Sequence, residues 1–268
     1  MIARFPRVIS WVPLSFLLFL FCRPPQVTGQ SAPAPAPPRV LHSIAEVYSL
    51  SKGQALLGYP VDFEAVVTYY DAEWGTLFVQ DRLGHTYINV AGHKMNLPPG
   101  SRIRVTGITS FGGYSNAISK PKVQFLGIGP EVKPLSKTVE ELNSGAYDSQ
   151  LIVIEGVLHP CAEQTNRACL RVVHGKSEFE LHLIEHRSPA IDSLVGATVR
   201  ARGACSAMLD KDSKRIGSTI LLESTKQIDV QMPPLAENSP PVTVQSLRPE
   251  DADLTMVRQA HLRGRVNW

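Results

Sequence analysis

Alternation of apolar and polar side chains predicts β-strands along most of the chain. In "VDFEAVVTYY", Val61, Phe63 and Ala65 alternate with Asp62 and Glu64. That period of two belongs to a half-buried strand. It recurs in "GTLFVQD", "HTYINV", "SRIRVTG" and "KVQFLG", with the turn "RLG" after the second run. A second set follows: "LIVIEGVL", "ACLRVV", "EFELHLIE", "ATVRARG" and "KQIDV", with the turn "HGKS" after its second run. Each set predicts five short strands, the rhythm of an all-β domain.

The two sets repeat one another. "LPPGSRIRVTGITS" matches "LVGATVRARGACSA", with Gly107 and Gly203 in register, so the repeat is about 95 residues long. That is the size of a domain, too long for a solenoid unit. Ala65, Gly156 and Gly264 align in the first strand of each unit, the last of them in the terminal "AHLRGRVNW". "KTVEELNSG" and "VQSLRPED" read as short helical or turn segments that open the next unit. Five strands with small residues at bends suit a closed barrel, because glycine relieves crowding where a barrel strand turns sharply. The expected fold is therefore all-β: two tandem five-stranded OB-like barrels, with the start of a third segment at the C-terminus. A seven-stranded sandwich needs more strands than either unit offers.

The N-terminus is different in kind. Arg4 and Arg7 precede "VISWVPLSFLLFLFC", which is shorter than a membrane span and contains Pro13. With Thr28 and Gly29 beyond it, this reads as a secretory signal peptide. "SAPAPAPPR" then forms an extended spacer. The expected organisation is residues 1–30 signal peptide, 31–39 Ala/Pro-rich spacer, 40–133 barrel 1, 134–236 barrel 2, and 237–268 linker and start of a third, incomplete unit. Localisation is expected to be exported, periplasmic or on the outer face of the cytoplasmic membrane. Contact with a membrane would come only through the signal segment or a region beyond the chain.

Composition fits a folded protein, with 43% hydrophobic and 19% charged residues and a net charge of +3. Between Arg39 and Lys133 there are nine Lys and Arg against seven Asp and Glu, a surplus of two. That is far from the basic groove of a dedicated nucleic-acid binder.

At this point the residues suggest a family. "YYDAEWGTLFVQDRLGHTYINV", "LPPGSRIRVTGITSFGGYSNAI" and "ELNSGAYDSQLIVIEGVL" resemble the OB-like extracytoplasmic N-terminal region of membrane sensor histidine kinases of acidobacterial type. The resemblance runs from about Val40 to Trp268. It implies a sensory input region in two-component signal transduction that precedes a membrane helix and a kinase core. The chain shows no phosphoacceptor helix and no glycine-rich nucleotide box, so it reads as a fragment of such a protein.

Barrel 1 holds most of the aromatics. OB barrels bind through the face of strands two and three and the loops joining strands one to two and four to five. That map puts Tyr70 and Trp74 on the first loop and Phe111 and Tyr114 on the second, as candidate ligand-binding residues. The competing expectation is that these rings plug the barrel ends. Asp71, Glu73 and Asp81 lie in the same region and oppose a phosphate backbone. Barrel 2 has Phe179 alone between Leu151 and Ala236, so it reads as a spacer or docking barrel. Arg102 and Arg104 share one face of a strand and read as a solvated outer surface. His182, Glu185 and His186 in "HLIEH" would share a face only on a helix, and the flanking alternation argues for a strand.

Cys161 and Cys169 flank "AEQTNRA" and are the expected disulfide, with Cys205 left over. Zinc would require a C-x-x-C spacing that is missing here. No catalytic constellation, metal site or cofactor is expected. The function expected is a non-catalytic sensory or interaction module binding an unknown ligand or partner protein. The alternative is a secreted OB-fold protein that binds single-stranded nucleic acid or another ligand.

Overall fold

The computed structural model describes residues 39–161, 167–212, 214–236 and 239–241. The expected signal peptide (1–30), the expected spacer (31–39) apart from its last residue, and the expected third unit beyond residue 241 lie outside the described residues.

Unit one opens with two short helices. The Ser43 side chain accepts from the Glu46 N–H to start α1 (Ile44–Tyr48), and a reciprocal Ser51–Gln54 capping box starts α2 (Lys52–Ala55). Five strands follow: β1 (Pro60–Asp71), β2 (Thr76–Gln80), β3 (His85–Asn89), β4 (Ser101–Phe111) and β5 (Asn116–Ile128). They pair in the order β3-β2-β1-β4-β5. Asp81 fixes the β2–β3 turn by accepting from Leu83 and Gly84, and its other oxygen accepts from Ile44 at the start of α1.

Unit two repeats this plan. β6 (Leu135–Ser136) leads into α3 (Val139–Asn143), again with a capping box, between Thr138 and Glu141. Then come β7 (Leu151–Pro160), β8 (Cys169–His174), β9 (Ser177–Leu183), α4 (Pro189–Asp192), β10 (Thr198–Leu209), β11 (Arg215–Leu222) and β12 (Ile228–Met232). The ring β7-β8-β9-β11-β10 closes through the β10–β7 ladder, and β9 runs parallel to β11. This is the strand order of the OB barrel. In unit one the order is the same, but among the described residues no ladder joins β3 to β5. That seam is held instead by α1: the Asn116 side chain donates to the Val47 and Leu50 carbonyls, and the Tyr48 hydroxyl meets Thr86 Oγ1 at 3.0 Å.

The alternation behaves as a barrel requires. Along β4, Ile103 and Val105 are buried, while Arg102 and Arg104 point outward. There Arg104 grips Asp62 at 2.5 and 2.6 Å and Arg102 meets Glu64 at 3.5 Å, so both arginines are bound to their neighbours on β1. The core of unit one is built from residues such as Val61, Phe63, Leu77, Ile88, Ile103 and Val105. That of unit two is built from Ile152, Ile154, Leu170, Phe179, Leu181 and Ile220.

One strand differs from expectation. The fifth strand of barrel 2 is β11, "RIGSTILL", and the expected "KQIDV" is an extra strand that pairs with the start of β10. Unit one shows the reason. There β5 is continuous: Asn116 to Ser119 pair with the end of β4, and Lys122 to Ile128 pair with its start. In unit two the same two jobs fall to separate strands, β11 and β12, with a 3-10 turn between them (Thr225–Gln227). Gly107 and Gly203 sit where the partner changes. A Cβ on Gly203 would lie 2.5 Å from Ile220 Cγ2 and Leu221 O, and one on Gly107 would lie 2.8 Å from Ser119 O. Both glycines are therefore dictated by close approach of the fifth strand.

Candidate aromatic cleft between the barrels

The site begins with a bulge. Val61, Phe63, Ala65 and Val67 face the core of barrel 1, and strict alternation would send Tyr69 after them. The β1–β2 register shifts between Val67 and Tyr69, which reverses the parity. Tyr70 turns into the core and Tyr69 turns out. Tyr70 is 8% exposed, its hydroxyl donates to His93 O, and it accepts from Met95 N–H. Tyr70 is thus a core residue, which corrects its expected place on a ligand loop.

On the outer face, Tyr69, Phe78 and Tyr87 form a ladder across β1, β2 and β3, with ring centroids 6.0 and 5.6 Å apart. Tyr69 and Phe78 pack against Ala204 and Leu221 of barrel 2. The second barrel therefore covers part of the β2–β3 face of the first. Where it stops, a cleft of about 430 Å³ remains.

Trp74, Tyr87 and Tyr114 line that cleft, together with Tyr48 from α1. Trp74, Tyr87 and Tyr114 are 43%, 37% and 41% exposed. Trp74 is held by a turn in which Asp71 Oδ1 accepts from the Glu73 and Trp74 N–H groups at 2.9 and 3.1 Å. Tyr114 lies in the β4–β5 turn, which Gly112 N–H closes onto Ser115 O at 2.8 Å. Its hydroxyl donates to Asp148. Phe111 is not part of this group: it ends β4 beneath the Lys52 ammonium, 4.6 Å from the ring centre. Of the four expected aromatics, Trp74 and Tyr114 share the cleft, whereas Tyr70 and Phe111 lie elsewhere.

Barrel 2 forms the opposite wall with Ala207, Met208, Thr219, Leu221 and His182. Of its two expected roles, spacer or docking barrel, the packing fits the second: barrel 2 contributes no phenyl or indole ring to the cleft, but it forms one of its walls. Asp148 joins the two walls, since Ala207 N–H donates to its Oδ1 at 2.7 Å while Tyr114 binds Oδ2. Burial, followed by the hydrogen bond and charge of Asp148, raises the Tyr114 pKa, so this hydroxyl stays protonated and donates.

A buried ion pair fixes the barrels beside the cleft. Arg167 bonds Asp71 and reaches Glu73 at 2.8 Å, and its guanidinium lies 4.0 Å over the Trp74 ring. Burial opposes the Asp71 charge, but Arg167 and the two loop N–H groups hold its carboxyl below the usual range. Nearby, Glu223 accepts from Tyr70 N–H at 3.2 Å. Burial pushes its carboxyl up to about 7, and the Asp71 charge adds to the rise.

Arg167 comes from the loop bracketed by Cys161 and Cys169. These cysteines form a disulfide with Cα atoms 5.4 Å apart. Among the described residues the one grouping of three potential metal ligands is Cys161, Cys169 and Glu180, and the disulfide occupies both sulfurs. His182 lies on β9 with Nε2 3.2 Å from Glu180, and Glu185 accepts from Thr225 N–H, so "HLIEH" brings no metal set together.

Tyr48, Tyr87, Asp148 and Arg167 are not among the residues that the sequence singles out as a site. Tyr87 carried a signal, since it stands on the polar side of an alternating strand. Asp148 and Arg167 become site residues only through contacts across the barrel boundary, and Tyr48 through the seating of α1 beside β3.

No family model matches the chain, and a search of curated proteins finds no match. Among solved structures, the chain is similar to a murine DNA-binding protein bound to double-stranded DNA, at 10% identity over 65% of this chain and 99% of that one, with a TM-score of 0.32. It is also similar to a HINa domain in complex with 20-base-pair double-stranded DNA, at 9% identity over 65% and 96%, with a TM-score of 0.33. A replication protein A heterotrimer bound to single-stranded DNA is similar at 13% identity over 74% of this chain and 52% of that one, with a TM-score of 0.32. The assignment of two tandem OB-like barrels rests on the strand order and the ladders.

Proposed function

We propose that this chain is a non-catalytic binding module whose ligand enters the cleft between the barrels and stacks a flat ring on Trp74, Tyr87 and Tyr114. The observation that supports this is a half-open aromatic surface on the face that OB barrels use for binding, left uncovered by the neighbouring barrel. Its volume of about 430 Å³ lies within the range of small-ligand sites, roughly 300–1,000 Å³. A place outside the cytoplasmic membrane, as the input region of a sensor histidine kinase, is supported by the sequence resemblance alone.

The test is a titration of the purified chain with Nile red, a neutral ring dye. Blue-shifted emission that saturates in the parent should weaken about tenfold, the equivalent of ~1.4 kcal/mol, in Tyr87→Ala and in the cleft-filling Ala207→Phe. Equal binding by parent and both variants would place the dye elsewhere and remove the cleft as the site.

Single-stranded nucleic acid is the second reading, favoured by the same exposed rings, because bases stack on such platforms in a sequence-tolerant way. Oligothymidylate binding that survives a rise in salt and is lost in Tyr87→Ala would make it the first. With no lysine or arginine lining the cleft among the described residues, we expect weak binding instead.

A further inference from the structure

We infer that the cleft selects an organic cation, a ligand that carries a positive ammonium or guanidinium head on an apolar or aromatic body. This inference rests on the reading of the cleft as the ligand site and names the chemistry of what it takes.

The formal charges that line the cleft are few. Among the described residues Asp148 is the one carboxylate on the wall, and the imidazole of His182, also on the wall, already faces Glu180. No lysine or arginine lines it among the described residues. A carboxylate offers about four acceptor positions. Tyr114 and Ala207 use one on each Asp148 oxygen, and both act as donors, so they leave its negative charge in place. The rest of the wall is mainly aromatic and apolar. Ring faces carry partial negative charge and attract cations, most strongly where water is excluded.

The protein supplies its own precedent at the rim. One face of Trp74 already takes a guanidinium, that of Arg167. The carboxylates of Asp71 and Glu73 both bond that guanidinium, so it lends no net positive charge to the cleft. An anionic ligand would meet Asp148 with no cation to offset it. A neutral ring would leave the remaining Asp148 lone pairs to water. A cation with an apolar body answers both features, the head between Asp148 and the face of Tyr87 and the body toward Trp74 and Leu221.

The probes are benzyltrimethylammonium, its neutral isostere neopentylbenzene and the anion benzenesulfonate, each titrated into the full chain by tryptophan fluorescence and calorimetry. The cation should bind about tenfold or more tightly than the neutral isostere, as expected for a desolvated cation–aromatic contact, and the anion should not bind. Asp148→Asn keeps an oxygen for Ala207 and should erase the preference, leaving the two within about threefold. Tyr87→Leu, at a half-exposed ring outside the buried cluster that joins the barrels, should weaken the cation more than the neutral probe.

Equal or tighter binding of the neutral isostere by the parent would overturn the cation preference while leaving the cleft as a ring site. Tightest binding of benzenesulfonate would overturn it in favour of anions. Should Asp148→Asn fail to fold, the ratio of cation to neutral probe in the parent and in Tyr87→Leu decides alone. Loss of the Nile red signal from the cleft, by contrast, would remove the underlying site.

Discussion

Arg167 of the second barrel and Asp71 of the first form an ion pair with 2% and 1% of their side chains exposed. The pair also orders what surrounds it. Asp71 holds the turn that carries Trp74, and Arg167 covers one face of that ring. Removing one partner leaves the other charge buried and uncompensated, at a cost of roughly 3–5 kcal/mol. Arg167→Ala should therefore lower the unfolding free energy by about that amount, measured by urea denaturation. It should also shift the Trp74 emission to the red. A loss below about 1 kcal/mol would mean that this ion pair does not hold the barrels together.

Glu223 makes the same boundary sensitive to pH. Its carboxyl is raised from 4.5 to about 7 in the fold, with Asp71 as its acidic neighbour and Arg167 bound to Asp71. A folded pKa above the unfolded one means that the folded state binds more protons between these values. Stability from this group is therefore present below about pH 4.5, is lost as pH rises toward 7, and is flat above. Glu223→Gln keeps an acceptor for Tyr70 N–H and should remove roughly 2 kcal/mol of that slope. Parallel stability–pH curves for parent and variant between pH 5 and 7 would contradict the assignment.

The Cys161–Cys169 disulfide closes a short loop, with a sequence separation of 8. Chain entropy gives such a loop about 2.5 kcal/mol. Dithiothreitol should lower the denaturation midpoint accordingly and loosen Arg167, which lies within the bracket. Cys205 should not take part. It is fully buried, and burial together with the Asp148 charge pushes its thiol up to about 12. A thiol reagent at pH 8 should leave Cys205 of the unreduced native chain largely unlabelled, read by peptide mass, and its rapid labelling would refute that burial.

Gly107→Val should destabilise barrel 1 by roughly 1–3 kcal/mol, since a side chain there meets the backbone of β5. Gly203→Val should cost barrel 2 at least the upper end of that range, because its contacts are shorter and include backbone. Neither glycine has a positive φ, so alanine should be less harmful than valine at both. Unchanged stability in both valine variants would remove crowding as the reason for these glycines.

Periodicity along the sequence was sufficient to place nine of the ten barrel strands and to reveal the repeat. Those features are local: a half-buried strand must alternate, and a glycine must stand where strands crowd. "RIGSTILL" was passed over because its second half is buried on both faces, which removes the alternation by which a strand is recognised. The split of one long strand in unit one into two in unit two is likewise invisible until the partners are known. The site divides in the same way. Trp74 and Tyr114 were legible as rings on the loops of an OB barrel. Tyr70 was misplaced because a single bulge reverses side-chain parity, and a bulge is set by the partner strand. Asp148, Arg167 and the wall of Ala207, Met208 and Leu221 owe their roles to one barrel packing on another. Their sequence distance from Trp74 carries no trace of that contact. Local alternation is written residue by residue, whereas a cleft between domains exists only once both surfaces have been built and brought together.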